Sequence, residues 1–531
     1  MVIVKVVQQD AIAPDHLPEA ERWVLFATTL ASSMAFIDAS ALNVALPTLQ
    51  DALQATGAQL LWIINAYLLM LAALILVGGS LGDKLGRKKV FMFGICLFIV
   101  ASLACGLTPT TNFLLVARAV QGMGGALMIP GSLALITATF GSERCSRAIG
   151  TWAAITTIVT IAGPVLGGCL ADIGLWRSVF LINLPIGLSA LLILHFKVPE
   201  QRDEAASQPI DYPGAILATL GLAALTYGAI SISDLGLGNP FVYGTLLVGT
   251  IALVICGIVE THSDHPMLPL HLFQSGTFSG TNLLTLFLYG ALNVGIFFLC
   301  LNLVRAQGYS QTIAGFADMP FALLLAGLSP LMGNLAERYG SRPPLIIGPS
   351  LAGVGFLLLA QVGLTHGPDD YWTTFFPGIL VFGLGMAITV APLTAAVMTS
   401  VPTGYTGTAS GVNNAVARTA GVLAIAIIGS VALMVFAGDL ATHTTHLNLS
   451  TDARNALQAE ATQLGQAIDL TGIAPEQVSA VETAIKLAFV DTYQVVMLIC
   501  AGLAWLSAVM AALLVDQQDF ESRKTANGLF R

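Results

Sequence analysis

The stretch GGSLGDKLGRKK, residues 78–89, contains five charged side chains and four glycines within twelve positions. Only 10% of the 531 residues are charged, whereas 56% are hydrophobic and the mean hydropathy is +0.81. Apolar runs of about 20 residues recur along the chain, which is the length that a helix needs to cross a bilayer. The composition therefore predicts an integral membrane protein, in which the charged stretch forms a turn between two spans.

Apolar windows bounded by charged residues, Gly and Pro predict fourteen spans. These windows are too long, and alternate too little, to be strands of a β-barrel, so α-helices are expected. The predicted spans, numbered 1 to 14 in chain order, cover residues 23–46, 59–80, 90–107, 112–139, 147–170, 177–197, 212–233, 240–260, 276–303, 313–335, 343–364, 373–400, 406–438 and 490–515.

The distribution of Lys and Arg predicts the orientation of the chain. Fifteen of the 21 basic residues fall in segments on the same side as the N-terminus, four fall on the opposite side, and two, Arg118 and Arg418, fall within spans. Because cytoplasmic loops carry the excess of Lys and Arg, both termini are expected in the cytoplasm. The opening MVIVKVV is too short for a signal-peptide core, so the N-terminus is expected to remain in the mature chain.

A second copy of the charged stretch, GNLAERYGSRP, occupies residues 333–343. Both copies follow the second span of a six-span set if spans 7 and 8 are an insert. Internal repeats of this kind are typical of secondary transporters. The matched pairs are Gly79 and Gly333, Leu81 and Leu335, Asp83 and Glu337, Gly86 and Gly340, and Lys88 and Arg342.

The repeat predicts an all-α membrane protein made of two six-helix bundles with two inserted central helices. Within the second bundle, a loop at 439–489 is expected on the outer side, with one amphipathic helix after the sequence STD and another from Pro475. The expected segments are a cytoplasmic N-terminal segment at 1–22, the first bundle at 23–197, the inserted pair with its loops at 198–275, the second bundle at 276–515 and a cytoplasmic tail at 516–531.

The charged stretch resembles the loop motif of the major facilitator superfamily, which follows span 2 and returns in the second bundle. Other runs strengthen the resemblance: FIDASALNVALP at 36–47, ARAVQGMGGA at 117–126, GPVLGG at 163–168 and WRSVFLINLPIG at 176–187 are similar to motifs of spans 1, 4, 5 and 6. Their order and placement are typical of the fourteen-span drug:proton antiporter family. The resemblance implies a proton-driven exporter in a bacterial cytoplasmic membrane.

An acid within a membrane span is costly, so Asp38 in span 1 needs an explanation. The resemblance implies that it binds a proton or a cationic substrate, and the alternative is a neutral, hydrogen-bonded packing residue. Arg118 in span 4 is its expected partner, because a buried guanidinium must find a carboxylate, a carbonyl or water. The resemblance implies that Arg118 helps to move the proton, and the alternative is that it only fixes span 4 against span 1.

The charged stretch and its copy are expected to form a cytoplasmic gate, in which Asp83 pairs with Arg144, Arg147 or the positive end of a helix. The alternative is that the positive charges only orient the chain. An exposed pair contributes only about 0 to 1 kcal/mol, so a latch would have to be partly desolvated. The predicted gate residues are Gly79, Asp83, Gly86, Arg87, Lys88, Arg144, Glu337 and Arg342.

Small residues in span 5 are expected to let another helix approach closely. They are Gly163, Pro164, Gly167 and Gly168. The resemblance implies a seal between the two halves, whereas ordinary helix packing needs no transport role. Asp318, near the outer end of span 10, is expected to cap a helix start, with a secondary proton site as the alternative.

Polar and aromatic residues of the spans are candidates for a substrate cavity, although most of them are expected to pack between helices. The candidates are Asn43, Trp62, Asn65, Tyr67, Gln121, Trp152, Asn293 and Asn413. Apolar and aromatic walls suit an amphipathic or lipophilic cation. The alternative cargo is an endogenous lipid, a metabolite or a self-produced antibiotic, and the sequence does not separate these classes.

Several function classes find no support in the sequence. No G-x-x-x-x-G-K-[ST] run is present, which argues against a nucleotide-driven pump, and no catalytic constellation indicates an enzyme. The net charge of −9 comes without a basic tail for nucleic acid. No cofactor, metal or disulfide is expected, and nothing supports a periplasmic adaptor protein. The expected partners are protons, a small amphipathic substrate and the lipid bilayer.

Overall fold

The structure is a computed structural model. It describes residues 19–140, 142–199, 211–236, 238–263, 268–402, 405–447 and 475–516, and the single positions 266, 449 and 457. Within this part of the chain, fourteen helical segments are long and apolar enough to cross a membrane, as the sequence predicts. The chain is therefore a multi-pass α-helical membrane protein.

The spans begin and end within about five residues of the predicted positions, except that span 1 continues to Leu53, beyond the predicted residue 46, and except at two ends described below. Two spans are each made of two helices. In order, spans 1 to 14 are Glu19–Leu53, Gly57–Leu85, Arg87–Gly106, Thr111–Thr139, Ser142–Asp172, Ser178–Leu181 with Asn183–Lys197, Tyr212–Leu235, Pro240–His262, Gly276–Arg305, Gln311–Ala317 with Met319–Tyr339, Arg342–Ala360, Phe375–Thr399, Thr406–Thr444 and Pro475–Leu514. Short 3₁₀ helices cover Leu270–Gln274 and Pro368–Asp370.

The turns between spans use local chemistry that the sequence carries. Span 2 starts with a capping box, in which Thr56 Oγ1 accepts from the Gln59 amide at 3.2 Å and Gln59 Oε1 accepts from the Thr56 amide at 3.0 Å. The matched glycines of the repeated stretch, Gly86 and Gly340, have φ of 107° and 90°. Only glycine adopts such angles readily, which explains why the repeat keeps a glycine at this turn.

Spans 13 and 14 differ from the prediction at their outer ends. Span 13 continues to Thr444, and span 14 begins at Pro475. The amphipathic helix expected from Pro475 is therefore the first part of span 14, because no turn signal interrupts the helical sequence before the apolar part. At about 1.5 Å per residue, 40 residues span about 60 Å, twice the thickness of a bilayer core. The other predicted amphipathic helix lies largely outside the described residues.

The chain divides into two compact units. Unit 1 comprises Met1–Gly228, Tyr243–Met267 and Ser310–Phe316, and unit 2 comprises Ala229–Val242, Leu268–Tyr309 and Ala317–Arg531. The inserted pair does not form a unit of its own. In unit 1 its Tyr227 ring contacts Trp62 of span 2, with centroids 5.9 Å apart.

Glycines place span 4 deep within unit 1. A Cβ at Gly122 would meet the Tyr67 backbone of span 2, and a Cβ at Gly124 would lie 2.7 Å from the Phe98 amide nitrogen of span 3. Small residues at helix contacts allow backbones to approach closely. This close packing brings the polar residues of span 4 against spans 2 and 3.

Candidate functional site

Asp38 is the buried acid around which the site is built. It lies in the middle part of span 1, and its side chain is fully buried. An ionised carboxylate removed from water needs a cation and hydrogen-bond donors around it. The surrounding helices must therefore supply both.

Arg118 of span 4 supplies the cation. Its Nη1 lies 2.5 Å from Asp38 Oδ2, and its Nε donates to the carbonyl of Ile63 in span 2 at 3.2 Å. The guanidinium also lies over the Tyr67 ring, 4.4 Å from the centroid, in a cation–π contact. The structure thus confirms that the two predicted partners meet, and the guanidinium contacts spans 1 and 2 together.

Gln121 completes the coordination of the acid. It lies three residues after Arg118, so both side chains share one face of span 4. Its Oε1 accepts from Arg118 Nη1 at 2.7 Å, while its Nε2 donates to Asp38 Oδ1 at 2.9 Å. Both carboxylate oxygens of Asp38 are therefore engaged, each by a different side chain.

The network extends to spans 3 and 6. Gln121 Nε2 also donates to Ser102 Oγ at 2.9 Å, and Asn183 Nδ2 donates to the same oxygen at 3.3 Å. All five side chains, Asp38, Arg118, Gln121, Ser102 and Asn183, are buried; we call them the Asp38 network. It joins spans 1, 3, 4 and 6 of unit 1.

Sequence reasoning found part of this network. Asp38 and Arg118 were predictable, because charges within spans must pair. Gln121 was expected in a substrate cavity, whereas the structure places it on the ion pair. Ser102 and Asn183 were not singled out. The available signal was a polar residue inside each of the apolar runs ASLACG and FLINLP.

Comparison with known proteins identifies the family to which this arrangement belongs. The model of the Major Facilitator Superfamily matches residues 28–426, about three quarters of the chain. The chain belongs to this superfamily. It is 34% identical over 412 residues to the multidrug resistance protein Stp of Mycobacterium tuberculosis, covering 77% of this chain and 75% of Stp. It is therefore a member of the drug-efflux transporters of the superfamily, and a transporter rather than an enzyme.

Other relatives carry names of single antibiotics. The tetracenomycin C resistance and export protein of Streptomyces glaucescens is 30% identical over 410 residues, which cover 76% of this chain and 74% of that protein. Among solved structures, a bacterial homologue of the human lysosomal transporter Spinster gives a TM-score of 0.63 at 18% identity, covering 93% of this chain and 98% of that chain. The structural likeness supports the major facilitator fold.

The remaining cavity candidates of unit 1 have varied surroundings. Tyr67 lies beneath Arg118, and Trp152 Nε1 donates to Ser32 Oγ of span 1 at 3.1 Å. Trp62 faces the inserted helix rather than the Asp38 network. Asn65 of span 2 is fully buried, and neither of its amide atoms has a hydrogen-bond partner among the described residues. Asn43 is partly buried.

Two candidates lie in unit 2 of this major facilitator. Asn413 Nδ2 of span 13 donates to Thr285 Oγ1 at 2.7 Å and to Asn282 Oδ1 at 3.2 Å, both on span 9. Asn293 Nδ2 donates to the carbonyl of Tyr289 in its own helix at 2.7 Å. Asn413 therefore ties two helices of unit 2, whereas Asn293 satisfies its amide locally.

The matched basic residues of the superfamily's loop motif make the same contact in both units. Lys88 Nζ donates to the carbonyl of Val198, just after span 6, at 2.5 Å. Arg342 Nη2 donates to the carbonyl of Ala512, near the end of span 14, at 2.7 Å. A cation at a helix C-terminus complements unpaired carbonyls and the helix dipole. Each copy thus ties the third helix of its six-helix set to the last one, within a single unit.

The predicted gate partners are only partly described. The side chains of Asp83 and Glu337 lie outside the described residues. Arg144 forms an ion pair with Glu21 of span 1, at 2.9 Å between Nη2 and Oε1. Gly79 of span 2 lies near Pro130 of span 4, and Arg87 begins span 3. The gate role of the motif stays a prediction.

The small residues of span 5 pack against two partners within unit 1. A Cβ at Gly167 would meet the backbone of Ala41 in span 1, and a Cβ at Gly163 would meet Ser40 Oγ. A Cβ at Gly168 would meet the carbonyl of Gln311, and Pro164 lies close to Gly315. The predicted close helix approach is therefore present on both faces of span 5.

Proposed function

We propose that this transporter is a proton-coupled antiporter that exports amphipathic or lipophilic, cationic compounds by alternating access. Asp38 binds the proton. The observation that carries the proposal is the Asp38 network: one buried acid, both oxygens engaged, inside a chain whose relatives are named for drug and antibiotic resistance. An ionisable residue at this depth of a membrane is costly, so its presence indicates a function.

Protonation of Asp38 changes the network in a defined way. The neutral acid has no charge to balance the Arg118 guanidinium, and the proton turns one carboxyl oxygen into a donor and weakens it as an acceptor. Arg118 keeps the carbonyl of Ile63 and the ring of Tyr67. The contact between spans 1 and 4 is therefore the one that protonation weakens, and this biases the equilibrium between transporter states.

Coupling requires that the proton and the substrate do not occupy the transporter together. A cationic substrate near Asp38 competes with the proton for the same negative charge. Each proton that enters down a potential of 100 mV supplies about 2.3 kcal/mol, before any pH gradient is counted. A monovalent cation that leaves in exchange for one proton uses up this electrical energy, because the exchange moves no net charge. The pH gradient then drives export, and each pH unit supplies about 1.4 kcal/mol, which is a tenfold ratio of cargo concentrations.

Asn65 is the cavity candidate that we assign to substrate contact in unit 1. Its buried amide donates and accepts no hydrogen bond within the described residues, which leaves both functions available to a ligand or water. A neutral amide suits a hydrogen-bonding group on an amphipathic cargo. Replacing Asn65 with leucine is expected to raise the KM for such a cargo and leave its kcat unchanged.

The charge distribution supports one membrane orientation. Fifteen basic residues on one side and four on the other favour a topology with both termini in the cytoplasm. The relatives are bacterial proteins, which supports a location in the bacterial cytoplasmic membrane. A cysteine-free chain with single cysteines added in the repeated stretch and in the loop after span 13 tests the orientation by labelling with an impermeant reagent.

Uptake of ethidium into everted membrane vesicles tests the transport function. An imposed pH gradient, acid inside, is expected to drive uptake, and nigericin is expected to abolish it by collapsing the gradient. Uptake that persists after the gradient collapses would overturn proton coupling. Vesicles without the protein provide the background.

A second candidate cargo is a self-produced antibiotic, a lipid or another endogenous metabolite. The observation that favours it is the printed name of one relative, which pairs resistance to tetracenomycin C with its export. Competition distinguishes the two candidates: a neutral polycyclic antibiotic that blocks ethidium uptake at lower concentration than lipophilic cations do would favour the narrower cargo.

A further inference from the structure

A break in span 10 places an acid where no structural role accounts for it. The two helices of this span, Gln311–Ala317 and Met319–Tyr339, meet at Asp318. Pro320 follows and has no amide hydrogen to continue the first helix. Tyr371 Oη donates to the carbonyl of Ala317 at 2.8 Å, so a side chain serves the carbonyl at the break. Interrupted helices of this kind form ion and substrate sites in secondary transporters.

The Asp318 side chain does not cap the second helix, contrary to the sequence-based expectation. No side-chain hydrogen bond caps the helix that starts at Met319. Asp318 is partly buried, and within the described residues its carboxyl group accepts no hydrogen bond and forms no ion pair. The capping interpretation is wrong because the carboxyl group is not bonded to the free amides of the helix start.

Within the part of the chain that the structure describes, the groups around Asp318 come from three elements and carry no positive charge. Cys300 of span 9, Tyr371 of the loop before span 12 and Tyr493 of span 14 lie within electrostatic range of its carboxyl group. Tyr493 is fully buried, and its hydroxyl has no hydrogen-bond partner. Leaving a buried hydroxyl without a hydrogen bond is unfavourable. The Asp318 carboxyl group could bond to this hydroxyl in either protonation state, because the carboxylate accepts and the neutral acid donates.

The tyrosines next to this group stay protonated and neutral at physiological pH. Burial raises the pKa of Tyr371, and burial together with the charges of Asp370 and Asp369 raises the pKa of Tyr309 to about 12. The Tyr309 ring contacts Phe375, which in turn contacts Tyr493, with centroids 6.3 and 6.5 Å apart. The surroundings of Asp318 thus offer hydroxyl groups but no cation.

We propose that Asp318 is a second protonation site, in unit 2, which takes up one proton independently of Asp38, and that its carboxyl group turns to form a hydrogen bond with the Tyr493 hydroxyl, which is unbonded within the described residues of this structure. A carboxylate in protein without a cation or several donors is unfavourable, and a proton removes its charge. The phenol can donate to the carboxylate and accept from the acid, so a hydrogen bond between the two groups suits both protonation forms. The helix break at Asp318 then lies at a point whose charge changes with pH.

Infrared difference spectroscopy of the purified full-length protein tests this proposal without substrate or gradient, so its outcome does not depend on the antiport proposal. Spectra recorded as pH is stepped are expected to show the C=O band of a protonated carboxyl group that disappears as pH rises. The band is expected to be absent in Asp318→Asn and present in Asp369→Asn, which changes an exposed acid of the neighbouring loop. A band that is unaltered in Asp318→Asn would overturn the proposal.

Tyr493→Phe provides a second test that keeps the acid and nearly the same volume. Loss of a donor to the carboxylate destabilises the charged form, so the midpoint of the band is expected to move to higher pH by about half a unit to one unit. An unmoved midpoint would contradict the assignment of Tyr493. A carboxyl signal that responds to tetraphenylphosphonium at fixed pH, and not to pH, would indicate a cation site and overturn the protonation proposal.

Discussion

Replacing Gln121 tests whether the hydrogen bonds of the Asp38 network control proton binding. Gln121→Leu keeps a side chain of similar length but removes the donor to Asp38 Oδ1 and the acceptor from Arg118 Nη1. Asp38 keeps its ion pair with Arg118, so the acid remains buried and paired. The substitution therefore changes the balance between the two protonation states of Asp38 and not the presence of the acid.

The size of this effect follows from the bond that is lost. Hydrogen bonds between side chains in membrane helix bundles contribute about 0.6 kcal/mol on average and about 1.7 kcal/mol at most. The bond from Gln121 stabilises the ionised form of Asp38. Because about 1.36 kcal/mol corresponds to one pH unit, its loss is expected to move the pH dependence of uptake to higher pH by about 0.4 to 1.2 units.

The assay is the pH dependence of ethidium uptake in everted vesicles, at a constant pH gradient and protein amount. The half-maximal pH of Gln121→Leu is expected to rise by about 0.4 to 1.2 units while uptake persists. Gln50→Leu is the matched control, since Gln50 is a buried glutamine of span 1 whose amide donates to the Ala55 carbonyl. A half-maximal pH that is the same in wild type and Gln121→Leu would refute the role of Gln121.

The remaining predictions concern packing and stability, measured as the melting temperature of the purified protein. Gly167→Ala is expected to destabilise the protein by about 1 to 3 kcal/mol, because its Cβ would meet the backbone of span 1. Gly150 lies on the same helix in open space, so Gly150→Ala is expected to stabilise the protein by about 0.5 to 1 kcal/mol. Equal effects of the two substitutions would contradict the packing of span 5. Lys88→Ala is expected to lower the free energy of unfolding by about 1 kcal/mol, because it removes the hydrogen bond to the end of span 6. Lys89 is exposed, so Lys89→Ala is expected to lower it by less than about 0.5 kcal/mol. A larger effect of Lys89→Ala would refute the role of the Lys88 bond. Tyr371→Phe is expected to cost about 1 kcal/mol by freeing the carbonyl at the break in span 10, and an unchanged melting temperature would count against that bond.

The number of spans and the repeat could be predicted because both rest on constraints that act on the sequence directly. The bilayer requires apolar helices of a minimum length, and the left-handed turn requires a glycine at Gly86 and again at Gly340. The outer ends of spans 13 and 14 were missed. Hydropathy marks where a helix leaves the membrane, but it does not mark where the helix ends.

The candidate site was only half predictable for a different reason. A charge within a span demands a partner, so Asp38 and Arg118 could be paired from the sequence. A neutral polar residue such as Ser102 makes no such demand, since it can bond to its own helix backbone. Only the structure shows that Ser102 and Gln121 face the acid. Conversely, the predicted helix cap at Asp318 was wrong. The sequence shows that an Asp precedes a helix, but it does not show which groups its side chain is bonded to.

Proton release on substrate binding tests whether Asp38 exchanges a proton for the cargo. Purified protein in weakly buffered detergent solution, with a pH-sensitive dye, receives tetraphenylphosphonium at a pH where Asp38 is protonated. The wild type is expected to release protons. Asp38→Asn, which has neither a titrating carboxyl group nor a negative charge at this position, is expected to bind the cation more weakly and to release no protons even at cation concentrations that saturate its binding. Equal proton release by the wild type and Asp38→Asn would contradict the claim that Asp38 exchanges a proton for the cargo.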